Sequence, residues 1–290
     1  MMRRLAAIVS ALMLVACVQQ PLLPVAPVMA PSSGFQQPLK PTKAGSGTTF
    51  ITIPWRLLSD RSQALASGAV LHEMRFTSLD AGDVELSVIG FDARSCTLRV
   101  LDQPHPHAGS SAMRGLMVHA GAIAGVNGGY FHPDFSPLGH LMADGKKLGS
   151  LVHTSLVSGM LQVAGQSPHL VWNSEYQGDS GITDLIQCGP RLVDGGEPIA
   201  GLNHTKTSAR TFVATDGAHQ WFIGVARYTT LRELSDVLAT PGLIPGPRID
   251  RALNLDGGRS TAIYARRSDG SELNDAGWST VRNYLAVVPR

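Results

Sequence analysis

The apolar residues of this chain come in short runs, each stopped within a few residues by Gly, Asp, Asn or Pro. They lie at Val84–Phe91, Thr97–Leu101, Ala122–Val126, Leu156–Val163, His169–Trp172, Thr211–Ala214, Gln220–Ala226, Ile249–Leu255, Thr261–Tyr264 and Asn283–Val288. Runs this short, alternating or rich in β-branched and aromatic residues and closed by turn formers, read as strands. The punctuation is built into the composition, with 31 glycines and 18 prolines in 290 residues. The composition favours strands and turns over a long-helix bundle, and a sheet-dominated α+β body is expected.

Two helices are expected to cover that body. Thr230 and Glu233 make a capping-box pattern ahead of Leu231, Leu234, Val237 and Leu238, and Pro241-Gly242 ends the segment. A second helix is read from Ser110 to about Ala120, with Met113, Leu116 and Met117 at helical spacing. No fixed-period repeat interrupts the pattern, so residues 50–290 are read as one domain.

Charge narrows the partners. The formal net charge of +2 comes from 24 Lys and Arg against 22 Asp and Glu, a surplus equal to Arg3 and Arg4 at the N-terminus. A neutral body has no basic excess with which to replace the counterions of a nucleic acid, so no nucleic-acid partner is expected.

The N-terminal segment MMRRLAAIVSALMLVAC places two arginines ahead of a thirteen-residue uncharged stretch, Leu5 to Cys17. That is too short to span a bilayer and fits a secretory signal. Its end, Leu14-Val15-Ala16-Cys17, resembles a bacterial lipobox, which implies lipidation at Cys17 and a membrane attachment through it. Val18, not Asp, follows the cysteine; the resemblance then implies the periplasmic face of the outer membrane or the cell surface. Residues 18–49 carry six prolines and are read as an extended tether between anchor and body. In an oxidising compartment the two remaining cysteines, Cys96 and Cys188, suggest a disulfide. It would close a loop of about 90 residues and contribute about 4 kcal/mol.

Three segments concentrate glycine and polar residues directly after apolar runs. In Asn127-Gly128-Gly129-Tyr130, glycines bring backbone amides close to a ligand while Asn127 offers donor and acceptor; a plain hairpin turn is the alternative. In Asp256-Gly257-Gly258-Arg259-Ser260, an acid at a strand end precedes amides, a cation and a hydroxyl, although Asp-Gly is again also a turn signal. The third is Gly189-Pro190-Arg191 with Arg210 downstream, where a guanidinium could clamp a phosphate or serve a structural ion pair. His105, His107, His119 and His132 fit no common zinc spacing, and PHPHAG is read as a polar loop, so neither metal nor cofactor is expected.

In order along the chain, NGGYF, PLG with a nearby DGK, GPRLVDGG, ARTFVATDG, NLDGGRSTAIY and VRNYLAVVP resemble the phosphodiester glycosidase family. The family includes enzymes of the N-acetylglucosamine-1-phosphodiester α-N-acetylglucosaminidase type and bacterial exopolysaccharide-associated relatives. The resemblance runs from about Val84 to Val288 and implies hydrolysis of a sugar-1-phosphodiester at its glycosidic bond. It implies catalytic positions at Asp256, Arg210 and Asn127. It implies substrate contacts at Gly128, Tyr130, Gly257, Gly258, Ser260 and Asn283, with Arg191 and Arg259 added here. Arg259 stands where the family motif often has a third glycine. Arg210 is expected to hold the phosphate charge and Asp256 to act on the sugar as base, nucleophile or electrostatic stabiliser. Asp194, Asp216 and Glu197 are the carboxylates open as partners of Asp256. A lipoprotein that binds glycan or scaffolds an envelope assembly without catalysis is the alternative function.

Overall fold

The computed structural model describes residues 55–290; the signal segment, Cys17 and the Pro-rich tether lie outside the described residues. The described residues form three antiparallel sheets. The largest contains, in spatial order, β1 (Arg56–Ala64), β2 (Val70–Ser78), β3 (Gly82–Asp92), β14 (Gln220–Thr229), β13 (Ser208–Thr215), β15 (Arg251–Asn254), β11 (Arg191–Asp194) and β12 (Glu197–Pro198). A second contains β7 (Lys146–Lys147), β6 (Leu141–Ala143), β10 (Ile182–Cys188), β8 (Gly159–Ala164) and β9 (Ser167–Trp172). The third contains β17 (Glu272–Asp275), β16 (Ile263–Arg266), β5 (Ala124–Asn127), β18 (Asn283–Pro289) and β4 (Cys96–Asp102). All ten runs read as strands overlap observed ones. The sheet-dominated α+β class is the one observed.

Period-two alternation explains the layering. In β14, Trp221, Ile223 and Val225 enter a core shared by all three sheets, while Phe222 and Ala226 enter a second core on the opposite face. Val213 and Leu253 follow the first set; Phe212, Ala214 and Ala252 follow the second. Because both faces of the large sheet are covered, its central strands read as nearly continuous apolar runs. The second core is closed by helix α2 (Leu231–Ala239), whose Leu234, Val237 and Leu238 are buried. The expected capping box is formed: the Thr230 hydroxyl accepts from Glu233 N–H at 3.1 Å, and Thr230 N–H donates to the Glu233 carboxylate at 2.7 Å.

Strand β18 makes the same division in the third sheet. Leu285 and Val287 face the shared core, whereas Tyr284, Ala286 and Val288 pack under helix α1 (Ala112–His119) with Met113 and Met117. Both methionines are fully buried packing residues.

The cysteines correct an expectation. Cys96 on β4 and Cys188 at the end of β10 are free thiols, each buried in a strand of a different sheet, and no disulfide joins them. Burial raises the Cys96 thiol above its ordinary range and pushes that of Cys188 up to about 12, so both behave as small apolar groups.

Candidate active site

The first and third sheets meet where several strands end together. Asn127 closes β5 opposite Tyr284 at the start of β18, and Asn254 closes β15 opposite Phe212 on β13. Chain segments distant in sequence therefore converge on one locus: 127–130, 189–190, 208–211, 254–261 and 283.

Asn127 is fully buried and its amide is spent on these segments. Nδ2 donates to the Asp256 carbonyl at 2.7 Å, while Oδ1 accepts from Thr211 Oγ1 at 2.7 Å and from Ala262 N–H at 3.0 Å. Asp256 N–H donates to the Gly128 carbonyl at 3.0 Å, so the two glycine-bearing loops hold each other twice. Next to it, Gly128 N–H donates to the Asn283 carbonyl at 2.9 Å and Gly129 N–H to Asn283 Oδ1 at 2.8 Å. A Cβ on Gly128 would overlap Asn283 Oδ1, so a side chain here would displace the Asn283 amide from Gly129 N–H.

Asp256 is half-buried at the head of a 3-10 turn, Gly258–Ser260. Burial raises its carboxyl above the usual carboxylate range, against hydrogen bonds from the Ser260 side chain and Gly257 N–H, the latter 2.9 Å from Oδ1. The loop lies close over β13: a Cβ on Gly257 would come within 2.7 Å of the Ala209 carbonyl, one residue before Arg210.

Arg210 is half-buried beside a bulge in the β13–β14 pairing. Its Nε donates to the Thr229 carbonyl at 3.3 Å and one terminal nitrogen to the Lys206 carbonyl at 2.7 Å. Among the described residues it has no ion-pair partner, and desolvation lowers its pKa. The guanidinium is thus fixed by neutral carbonyls with its charge uncompensated, an arrangement suited to an anion.

Tyr130 lies between these groups. Its hydroxyl donates to the Gly189 carbonyl at 2.6 Å and accepts from Asn254 Nδ2 at 3.0 Å. Burial first, with the nearby Asp256 charge, raises the phenol far above its ordinary range, opposed in part by the Asn254 hydrogen bond and by Arg210. Tyr130 is a neutral hydrogen-bonding group here.

The remaining expected residues are placed as follows. Gly257, Gly258 and Ser260 belong to the Asp256 loop, and Arg259 in the same loop is exposed. Arg191 lies in another cluster: its guanidinium stacks 5.2 Å from the Trp172 ring centre and faces Asp194 at 3.5 Å. None of the three carboxylates open as partners of Asp256 bonds to it. Asp194 accepts from Trp172 Nε1 at 2.9 Å, Asp216 caps the β13–β14 turn through Ala218 and Gln220 N–H, and Glu197 pairs with Arg248 at 2.7 Å. Sequence reasoning passed over Thr211 and Asn254. Asn254 Nδ2 serves Tyr130, the Gly189 carbonyl at 2.9 Å and the Leu255 carbonyl at 2.6 Å. Its signal was its place two residues before Asp256, inside the motif that drew attention to the acid.

The pattern of the phosphodiester glycosidase family matches residues 120–288, more than half of the chain. Among curated proteins none matches this sequence. Among solved structures, a hypothetical protein from Synechocystis shares 13% identity at a TM-score of 0.54, covering 80% of this chain, and the chain spans 64% of that protein's length. The catalytic domain of zebrafish N-acetylglucosamine-1-phosphodiester α-N-acetylglucosaminidase shares 15% identity at a TM-score of 0.52, covering 84% of this chain and 85% of that one. At such identities the structural likeness is one of fold. On the strength of the sequence match, this chain belongs to the phosphodiester glycosidase family.

Proposed function

We propose that the protein is an exported, lipid-anchored hydrolase that cleaves the glycosidic bond of a sugar-1-phosphodiester in envelope or extracellular polysaccharide. The observation that carries this reading is the pairing of Arg210, a desolvated cation without a carboxylate partner among the described residues, with Asp256, a half-buried acid on a loop packed against the same strand.

The chemistry needed is modest. The leaving group is a phosphate ester, acidic enough to depart without a proton. As the bond from the anomeric carbon to the phosphate oxygen breaks, its electron pair goes to phosphate and positive character develops on the sugar. The free N–H groups of Arg210 take up the phosphate charge. Asp256 faces the sugar, where its carboxylate stabilises the cation-like carbon and accepts the proton of the attacking water. Asn127, buried beneath the loop, acts as a positioning residue through the Asp256 carbonyl. The Gly258 amide is assigned to a substrate oxygen, while Gly257 N–H holds the Asp256 carboxylate and the Tyr130 hydroxyl donates to the Gly189 carbonyl at the edge of the site. Attachment through Cys17 follows from the lipobox resemblance and is tested by fatty-acid labelling of wild type against Cys17→Ala.

The deciding experiment measures reducing sugar released by the purified full chain from a nucleotide diphosphate sugar and from a synthetic sugar-1-phosphodiester, with Arg210→Ala alongside. Turnover by wild type and its loss in the variant support the hydrolase. Glycan binding by both proteins without turnover assigns the chain to the non-catalytic alternative.

A further inference from the structure

Two large aromatic side chains stand in solvent on segments hydrogen-bonded to the Asp256 loop and to Arg210. The sequence has four tryptophans; Trp55, Trp172 and Trp221 are buried, whereas Trp278 is 81% exposed. Its backbone is held to the Asp256 loop, because Trp278 N–H donates to the Arg259 carbonyl at 2.9 Å. Tyr228 is likewise 81% exposed. It precedes Thr229, the residue whose carbonyl receives Arg210 Nε.

Tyr228 is also conformationally unusual. Between the pairs Ser208↔Thr229 and Arg210↔Ala226, β14 has one residue more than β13, a β-bulge, and Tyr228 there has φ +52°. A left-handed backbone at a bulky non-glycine residue is unfavourable, and bulges beside functional sites re-aim side chains. Here the bulge turns an aromatic ring outward next to the Arg210 anchor. The flanks are also tied together: Arg227, just before Tyr228, forms an ion pair with Asp275, three residues before Trp278. Single exposed aromatics are unremarkable, but two that are fixed at the backbone to the supports of Arg210 and Asp256 form a pattern. A flat apolar ring with a polar edge suits the CH-rich face of a pyranose, and aromatic stacking adds affinity at low conformational cost.

We infer that Trp278 and Tyr228 are stacking platforms for sugar rings beyond the scissile bond, so that the preferred substrate is a phosphodiester-linked oligosaccharide or polysaccharide and not a nucleotide sugar. This rests on the hydrolase reading above and deepens it by assigning the residues that hold the sugar chain beyond the reacting bond.

The test compares two probes with the full chain: UDP-N-acetylglucosamine and a synthetic oligosaccharide of four sugar-phosphate repeats. Trp278→Ala and Tyr228→Ala are each expected to lose about three- to tenfold more kcat/KM on the oligosaccharide than on the nucleotide sugar, through KM, with recovery in Trp278→Phe and Tyr228→Phe. Iodide quenching provides a binding readout independent of turnover, since Trp278 is the exposed tryptophan; the oligosaccharide should protect it and the nucleotide sugar should not. Equal losses on both probes, or no protection, overturn the inference while leaving the hydrolase reading intact. Protection without turnover of either probe supports the platforms and overturns the hydrolase.

Discussion

Asn127 Nδ2 donates to the main-chain carbonyl of Asp256 at 2.7 Å, a bond between residues 129 apart in sequence. The same amide accepts from Thr211 and Ala262, so one fully buried side chain fixes the loop carrying the acid to strands of two sheets. Asn127→Ala leaves the Thr211 hydroxyl, the Ala262 N–H and the Asp256 carbonyl short of partners. Each such loss at a buried site costs about 1–3 kcal/mol, partly relieved by relaxation, so a total of about 2–4 kcal/mol is expected. Denaturant unfolding measures it, and kcat should fall in parallel because the loop is no longer held. Unchanged stability would remove Asn127 from this positioning role.

Arg210→Ala should lower kcat by about 100-fold or more with a smaller change in KM, because the guanidinium meets its full counter-charge only as the phosphate departs. Arg210→Lys should recover little. The Thr229 and Lys206 carbonyls orient a planar fork, which an ammonium does not reproduce. A KM effect alone, with kcat preserved, would show that Arg210 binds the ground state and the transition state equally.

How much of this was legible in the sequence follows from where the physics is local. Strands such as β14 and β18 announce themselves because apolar side chains enter a core on both faces. The α2 cap was readable because Thr230 and Glu233 are three residues apart. By contrast β1, assigned no element from its sequence, is exposed along nearly all its length and carries no apolar alternation to read. Strands β6 and β7 are three and two residues long, too short for any period. In the site, Asn127 and Asp256 stood out within glycine-rich motifs, but their bond depends on the register of sheets whose strands lie far apart in the chain. Arg191 looked equivalent to Arg210 in sequence; the difference is that Arg191 has Asp194 and Trp172 as neighbours and Arg210 has only carbonyls.

Tyr130→Phe separates hydrogen bonding from proton transfer. The phenol is raised far above its usual range by burial and so stays neutral at any pH at which the protein would be assayed. Removing its hydroxyl takes a donor from the Gly189 carbonyl, which retains Asn254 Nδ2 at 2.9 Å, so the cost should be about 1 kcal/mol. The alkaline side of the pH–rate profile should be the same in wild type and variant. An alkaline limb that vanishes in Tyr130→Phe would make the phenol a proton-transfer group after all.

Asp256→Asn tests the acid through stability as well as rate. Burial raises its folded-state pKa above the unfolded value, so the folded state holds the proton more tightly. The ionised carboxylate therefore costs stability at every pH above the folded-state pKa. The cost shrinks as pH falls between the two values and vanishes below the unfolded one. An uncharged asparagine keeps an oxygen to accept from Gly257 N–H and removes the charge. At pH 7 the variant should be inactive yet melt about 1–3 °C higher, a modest gain because the group is only half-buried. The gain should disappear on acidification toward the ordinary carboxylate range. Thermal unfolding of both proteins across pH 4–7.5 measures it, and a variant that melts lower at pH 7, or a gap that ignores pH, would mean that the carboxylate is not held at an energetic cost for catalysis.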